Sequence, residues 1–230
     1  MLVVSSFDLT NNLRVLTPAK FLASTLKDVT LNLTTDYLYM KRGYYVSLHA
    51  EILGSRAIPS SENIIDSSRT PLLLLRAEKA GIPTLPFIVT DSIKKIIAAL
   101  GFPVAVYAIN PFIHDGYKIA NNKTALYRAV KSLGMNYKFA ICAQPLKGEM
   151  RTFKSFFGKC SEEAEIQNIA EEVYKFFQIP ICKLHVQKVN GKAYLSALQP
   201  LNRTELASND LETISHEVSL IFQQGEKVSG

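Results

Sequence analysis

The chain has 230 residues, 47% of them hydrophobic and 20% charged, which excludes a disordered segment and leaves enough apolar material for a sizeable core. Its net charge of +6 and pI near 9.1 suit an anionic ligand or partner, but no dense Lys/Arg stripe marks a nucleic-acid groove. Cys142, Cys160 and Cys182 are far apart with no CxxC, so reduced buried thiols in a cytoplasmic protein are expected, rather than zinc or a disulfide framework.

The first 35 residues are irregular to read. Residues 2–5 form a short apolar run, a helix at 20–26 follows Pro18, and VTLNL at 29–33 alternates weakly, as a half-buried strand would. Residues 44–53 predict a helix, with Tyr45, Leu48, Ile52 and Leu53 at helical spacing and Gly54 placed to end it. A short strand at 56–58, closed by Pro59, completes a small α/β unit.

SSRTPLLLLRAEKA at 67–80 predicts one helix, capped by Ser68 and ended by Gly81. GIPTLPFIV turns into a strand, and residues 91–100 follow as a helix. The apolar run at 103–109, bounded by Gly/Pro and Asn signals, predicts an interior strand. A loop holding one glycine, Gly116, then leads to a second short strand at 117–120. The helix at 123–133 ends at Gly134, and YKFAICAQP at 137–145 predicts another strand.

Residues 150–157 carry partial apolar alternation, and a helix from Ser161 to residue 177 opens on Glu162, Glu163 and Glu165, the favoured charge at that end of the dipole. ICKLHVQKV and KAYLSALQPL form a hairpin about Asn190-Gly191, a type I′ turn signal. An amphipathic helix at 211–224 and a fraying tail from Gly225 close the chain.

Most chemical signatures are missing. No GxSxG, GxxxxGK[ST] or GxGxxG occurs. The start lacks a basic, apolar secretory leader, and no apolar run approaches a membrane span. Asn32, Asn122 and Asn202 begin Asn-x-Ser/Thr triplets, which carry meaning only in a secreted chain. His49 reads as a partly buried, satisfied imidazole, and Tyr37, Tyr39, Tyr44 and Tyr45 beside Lys41 and Arg42 read as a helix-flanking core cluster with a solvated basic tip rather than a base-stacking platform. His114 next to Asp115 offers an acid/base pair, although neighbouring loop residues usually point apart. Cys182 and His185 are three apart on one strand, so they take opposite faces and make no metal pair.

Four stretches in order narrow the reading: TPLLLLRAEKAGIPTLPFIV, LGFPVAVYAINPFIHDGYKIANN, FAICAQPLKGEMRTF and KLHVQKVNGKAYLSALQPL. They are similar, in turn, to four parts of the ATP-grasp fold of RimK-like and LysX-like carboxylate–amine ligases. These are the helix ending in a Gly-Ile-Pro turn, the strand and loop over the phosphates, the strand whose backbone faces the adenine, and the two strands that hold metal ions. Upstream, RGYYVSLHAEILGSRAIPS resembles the N-terminal domain that precedes RimK-like ATP-grasp modules. The resemblance covers about residues 36–222. It implies an α/β (α+β) fold of ATP-grasp type, with a small N-terminal α/β domain (1–66), two mixed α+β subdomains (67–136 and 137–224) around a cleft, and a flexible tail (225–230).

The departures from that family set the functional expectation. Where the family has a phosphate-contacting lysine on the central strand, this chain has Tyr107, neutral at pH 7. The loop from Asn110 to Gly116 is bulky where the family's is glycine-rich. His185, Ala197 and Gln199 stand where the family's metal strands carry carboxylates and an asparagine, and hard magnesium wants carboxylate oxygens. No catalytic residue, metal ligand or cofactor is therefore expected. ATP and Mg enter only if the chain is an active ATP-dependent carboxylate–amine (glutamate-type) ligase. In that alternative Arg151 and Glu149 handle substrate and Lys118 supplies the missing cation. The leading expectation is a protein that has lost ligation and binds a protein partner, an active ATP-grasp ligase or a second copy, or a small anion. Arg151, Glu149, Gln144, Lys118, Tyr107 and His114 are its candidate contacts. A nucleic-acid-binding module on the basic surface is a third and weaker reading.

Overall fold

The computed structural model describes residues 1–9, 15–110, 116–160 and 163–228, and of residues 224–228 the backbone alone. Three sheets form its frame. The first is parallel, in the order β2-β1-β3-β4, from β1 (Leu2–Ser5), β2 (Val15–Leu16), β3 (Thr30–Leu33) and β4 (Ala57–Ile58). Helices α1 (Pro18–Leu22) and α2 (Arg42–Ile52) cover one face of it. Every residue of β3 is buried, not alternate ones as the sequence suggested. A central parallel strand is covered on both sides, so both of its faces are core.

The predicted helix at 67–80 is two helices, α3 (Ser61–Ser68) and α4 (Thr70–Lys79), broken at the extended residue Arg69. Pro71 explains the break: in a continuous helix its ring would meet the carbonyl of Ser67. Ser60 caps α3 through the Asn63 N–H, so Ser68 is not the cap.

The second sheet is antiparallel, in the order β5-β8-β6-β7: β5 (Ile88–Thr90), β6 (Val104–Ala108), β7 (Tyr117–Ala120) and β8 (Ile141–Pro145). Helices α5 (Ile93–Leu100) and α6 (Lys123–Leu133) pack on its outer face over Val104, Val106, Ile141 and Ala143. β8 begins four residues later than expected, because Met135, Asn136 and Tyr137 all take positive φ and turn the chain after α6. β8 pairs with β5 and β6, so this sheet draws on residues up to Pro145.

The third sheet is antiparallel, in the order β11-β10-β9: β9 (Glu149–Phe156), β10 (Ile181–Val189) and β11 (Lys192–Pro200). Helices α7 (Ala164–Phe177) and α8 (Ser208–Val228) cover one face. The expected start of α7 at Ser161 lies outside the described residues, and α8 runs on through the segment expected to fray. One hydrophobic core joins Val3, Leu31 and Leu33 of the first sheet to Phe153, Leu184, Leu195, Ile169 and Val218. The N-terminal unit and the third sheet are therefore welded together, and the second sheet stands opposite them across a cleft.

Candidate functional site

Strand parity decides what faces the cleft. On β6, Val104 and Val106 point to the outer helices, while Ala105 and Tyr107 point inward with Cys142, Leu74 and Ala197. Tyr107 is 1% exposed, and its ring lies 5.8 Å from that of Tyr117, its register partner on β7. Its hydroxyl has no hydrogen-bond partner; Ser196 lies near but outside hydrogen-bond geometry, and burial holds the phenol neutral far above its usual range.

Across the cleft, His185 bridges the third sheet. Its Nδ1 is 2.9 Å from Thr152 Oγ1, its Nε2 is 2.8 Å from Gln199 Oε1, and its ring meets Tyr117 edge-on at 5.5 Å. The pattern fits a neutral ring donating from Nε2 and accepting at Nδ1. Burial, the main cause, pulls its pKa below the ordinary 6.5. A bulge follows on β11: His185 pairs with Ala197 and Val186 with Leu195, which leaves Ser196 as the extra residue.

Gln187 closes the inner end. Its Oε1 accepts from the Lys147 N–H at 3.1 Å, and its Nε2 donates to the Pro145 carbonyl and to Ser196 Oγ, each at 3.2 Å. One buried carboxamide thus satisfies the backbone donor and acceptor at the exit of β8. Gln144, fully buried beside it, donates to the Leu85 carbonyl at 3.1 Å while its Oε1 is unpartnered.

The other sequence candidates do not join this group. Arg151 shares strand parity with the core residue Phe153 and so lies on the helix-facing side of the third sheet; it stacks on Phe153 and pairs with Glu163 at 3.7 Å. Glu149 shares that parity and is exposed, whereas Met150 between them packs into the cleft cluster. Lys118 is the register partner of outward-facing Val106, so its Nζ reaches Ser132 on α6 and not the cleft. His114 lies outside the described residues. His49, as expected, is an internal imidazole, bonded at Nε2 to the Ser24 carbonyl and edge-on to Phe21.

A cavity of about 50 Å³ is left at the outer end of the cleft, lined by Tyr39, Arg69, Thr70, Asn110, Gly116 and Gln199 among others. Pockets that take drug-sized ligands run to ~300–1,000 Å³, so nucleotide-sized space is lacking here. Among the described residues, no group of three or more His, Cys, Asp or Glu is placed to hold a metal ion, and Ala197 and Gln199 offer no carboxylate. Among the described residues, the side chains at the cleft do not fit a triphosphate with its magnesium. Sequence reasoning missed Gln187, Thr152, Ser196 and Arg69. Only the Ser-Arg-Thr-Pro run, where Pro71 forces the chain open, carried a local signal for one of them.

Two antiparallel sheets clasping a cleft, with a parallel α/β layer ahead of them, define the ATP-grasp fold. Solved structures agree. A RimK-domain ATP-grasp protein from Sphaerobacter thermophilus is 12% identical over 94% of this chain and 98% of its own, with a TM-score of 0.66. D-alanine–D-alanine ligase from Bacillus anthracis is 17% identical over 86% of this chain and 82% of its own, TM-score 0.63. The same ligase from Coxiella burnetii is 13% identical over 87% and 71%, TM-score 0.60. Such identities speak for the fold alone. No curated protein sequence matches the chain. The model of the RimK-like ATP-grasp N-terminal domain family matches residues 19–217, and the chain belongs to that family. The match is not confined to the upstream stretch around residues 42–60; it takes in β3 and β4 of the first sheet and all of the second and third.

Proposed function

We propose that this protein keeps the ATP-grasp framework as a binding or partner subunit in the cytoplasm and has given up ATP- and magnesium-dependent ligation. The observation that carries this reading is the contact between the facing sheets: Tyr107, Tyr117 and Cys142 meet His185 and Ala197 where a cleft would need open, charged space. The Gln187 carboxamide adds to it by occupying the backbone groups at the exit of β8. The buried thiols of Cys142 and Cys182, both pushed up to about 12 by burial, suit a reducing compartment. Among the described residues no helix is long and apolar enough to cross a membrane. The partner is a protein, either a catalytic ATP-grasp chain or a second copy of this one.

Thermal unfolding with ATP and magnesium tests the loss of ligation. A ligand that binds only the folded state raises the midpoint by mass action. The expected result is no magnesium-dependent rise at millimolar ATP. A saturable rise that needs both ATP and magnesium overturns the reading.

A further inference from the structure

The chain's positive charge sits in one layer. Residues 92–148, which hold α5, β6, β7, α6 and β8, carry eight Lys or Arg and one acid, Asp115. Their formal charge of +7 exceeds the +6 of the whole chain, so the remainder carries −1. The ion pairs follow the same division. Arg76, Arg151, Lys154, Lys159, Lys183 and Lys188, all outside this stretch, each have a carboxylate, whereas no cation inside it has one among the described residues.

No run of sequence shows a basic stripe, because these cations lie several residues apart; the fold gathers them. Lys123, Tyr127 and Lys131 follow at four-residue spacing on α6, so they share its exposed stripe, with Arg128 beside them. The opposite face, with Leu126, Ala129, Val130 and Leu133, is the one buried against the sheet. Lys123 stands in the first turn, where the helix dipole favours an acid and there is none. Helix stability therefore does not account for it.

Backbone strain adds an aromatic neighbour. Met135, Asn136 and Tyr137 take φ of 49°, 56° and 63°, three left-handed residues in a row without a glycine. The turn is pinned by the Asn136 N–H on the Lys131 carbonyl at 2.8 Å and the Phe139 N–H on the Gly134 carbonyl at 3.0 Å. Gly134 is needed beside it, since a Cβ there would stand 2.7 Å from the Phe139 carbonyl oxygen. The turn sets the Tyr137 ring 5.8 Å from that of Tyr127, with both in solvent at 37% and 50% exposure and Lys138 next to them. A strained turn that holds a large ring out in water does not serve the core.

We propose that this outer face, with Tyr127 and Tyr137 among Lys123, Arg128, Lys131 and Lys138, binds single-stranded nucleic acid. Unpaired bases of any sequence stack on exposed aromatic rings, and the cations around the rings meet the phosphates. A bilayer needs apolar side chains to insert, and α6 has already buried its apolar face in the core. The centre of a protein interface is depleted in lysine, and three of these four cations are lysines. A second copy would bring the same positive face and repel it. The proposal concerns the face away from the cleft and does not depend on what the cleft holds.

The test is fluorescence anisotropy of the full chain with an oligouridylate and an oligodeoxythymidylate of about 16 nucleotides, the upper end of what one such surface covers. Wild type is expected to bind both, with log affinity falling against log salt at a slope of about −3, for four phosphates at ~0.7 each. Lys131→Glu is expected to lose roughly tenfold or more and to flatten that slope. Lys175→Glu, the same change in charge at an exposed place on α7, is expected to match wild type. Tyr137→Asn suits the left-handed turn but lacks the ring, so it is expected to fold at least as stably and to bind roughly tenfold more weakly. Tyr127→Ser is expected to show the same loss of binding. The proposal is overturned if wild type binds neither oligonucleotide, or if Lys131→Glu and Lys175→Glu bind alike. It is also overturned if Tyr137→Asn and Tyr127→Ser, folded by their thermal midpoints, keep full affinity. Equal or tighter binding of a duplex of the same length, of polyglutamate or of phosphatidylserine vesicles overturns it as well. Preference for one of the two oligonucleotides supports it and names the sugar.

Discussion

Replacing Tyr107 by phenylalanine tests whether the central strand has become core. In most proteins removal of a bonded buried hydroxyl loses about 1 kcal/mol. Here the hydroxyl is sealed, lacks a hydrogen-bond partner and has only an imperfect neighbour in Ser196. A buried hydroxyl without compensation costs about 1–3 kcal/mol, and the proximity of Ser196 argues for the lower end. Tyr107→Phe is therefore expected to stabilise the chain by about 1 kcal/mol, which for a protein of this size raises the midpoint by roughly 2–4 °C. Tyr107→Lys puts an ammonium where no carboxylate waits among the described residues; keeping it neutral at pH 7.5 costs about 4 kcal/mol before the lost aromatic packing is counted. Urea unfolding at pH 7.5 with both variants gives the two signs directly. The reasoning fails if Tyr107→Phe is less stable than wild type by 1 kcal/mol, or if Tyr107→Lys keeps full stability and gains binding of ATP with magnesium.

Gln187→Leu leaves the Lys147 N–H and the Pro145 carbonyl without this partner, with an expected loss of about 2–4 kcal/mol in urea unfolding; Gln187→Glu should lose at least as much at neutral pH, because it sets a carboxylate against the Pro145 carbonyl in a fully buried place. A wild-type midpoint in Gln187→Leu would show that water fills the gap. His185 sets a pH dependence. Its folded pKa lies below 6.5, so on acidification the unfolded chain takes up the proton first. Stability is then level above about 6.5 and falls as pH drops from there through the folded pKa. Urea midpoints between pH 5 and 8 should show this slope in wild type and a weaker one in His185→Gln; equal slopes would remove His185 as the cause.

Local punctuation was the legible part of the sequence. α6 spans Lys123–Leu133 as read, because the Asn122 side chain caps it and Gly134 ends it. The hairpin turns at Asn190 and Gly191 with φ of 51° and 80°, as a type I′ turn requires. Face assignment was harder. Arg151 looked like a cleft residue, yet it shares parity with Phe153, and which parity faces the cleft depends on the helices α7 and α8 far along the chain. The bulge after His185 is likewise invisible without the partner strand, and it alone brings Ser196 to Gln187. The contacts that close the cleft lie on different strands and are single polar residues in apolar runs, so no periodicity announces them.

On the proposed reading, the same parity lets such a fold persist while its chemistry changes. The cores over α5–α6 and α7–α8 draw on the outward faces of the two antiparallel sheets and are mainly apolar, with Ser155, Ser215 and Glu217 buried at the second of them. The inward faces contribute few side chains, and those are the ones that differ from the ligase pattern. Exchanging a cation for Tyr107 and a carboxylate for Ala197 leaves both outer cores untouched. It also removes two charged groups whose desolvation between closed sheets would be costly. The facing sheets then attract through buried area instead of through a shared ligand. On that account Tyr107, Tyr117 and Ala197 should behave energetically as core.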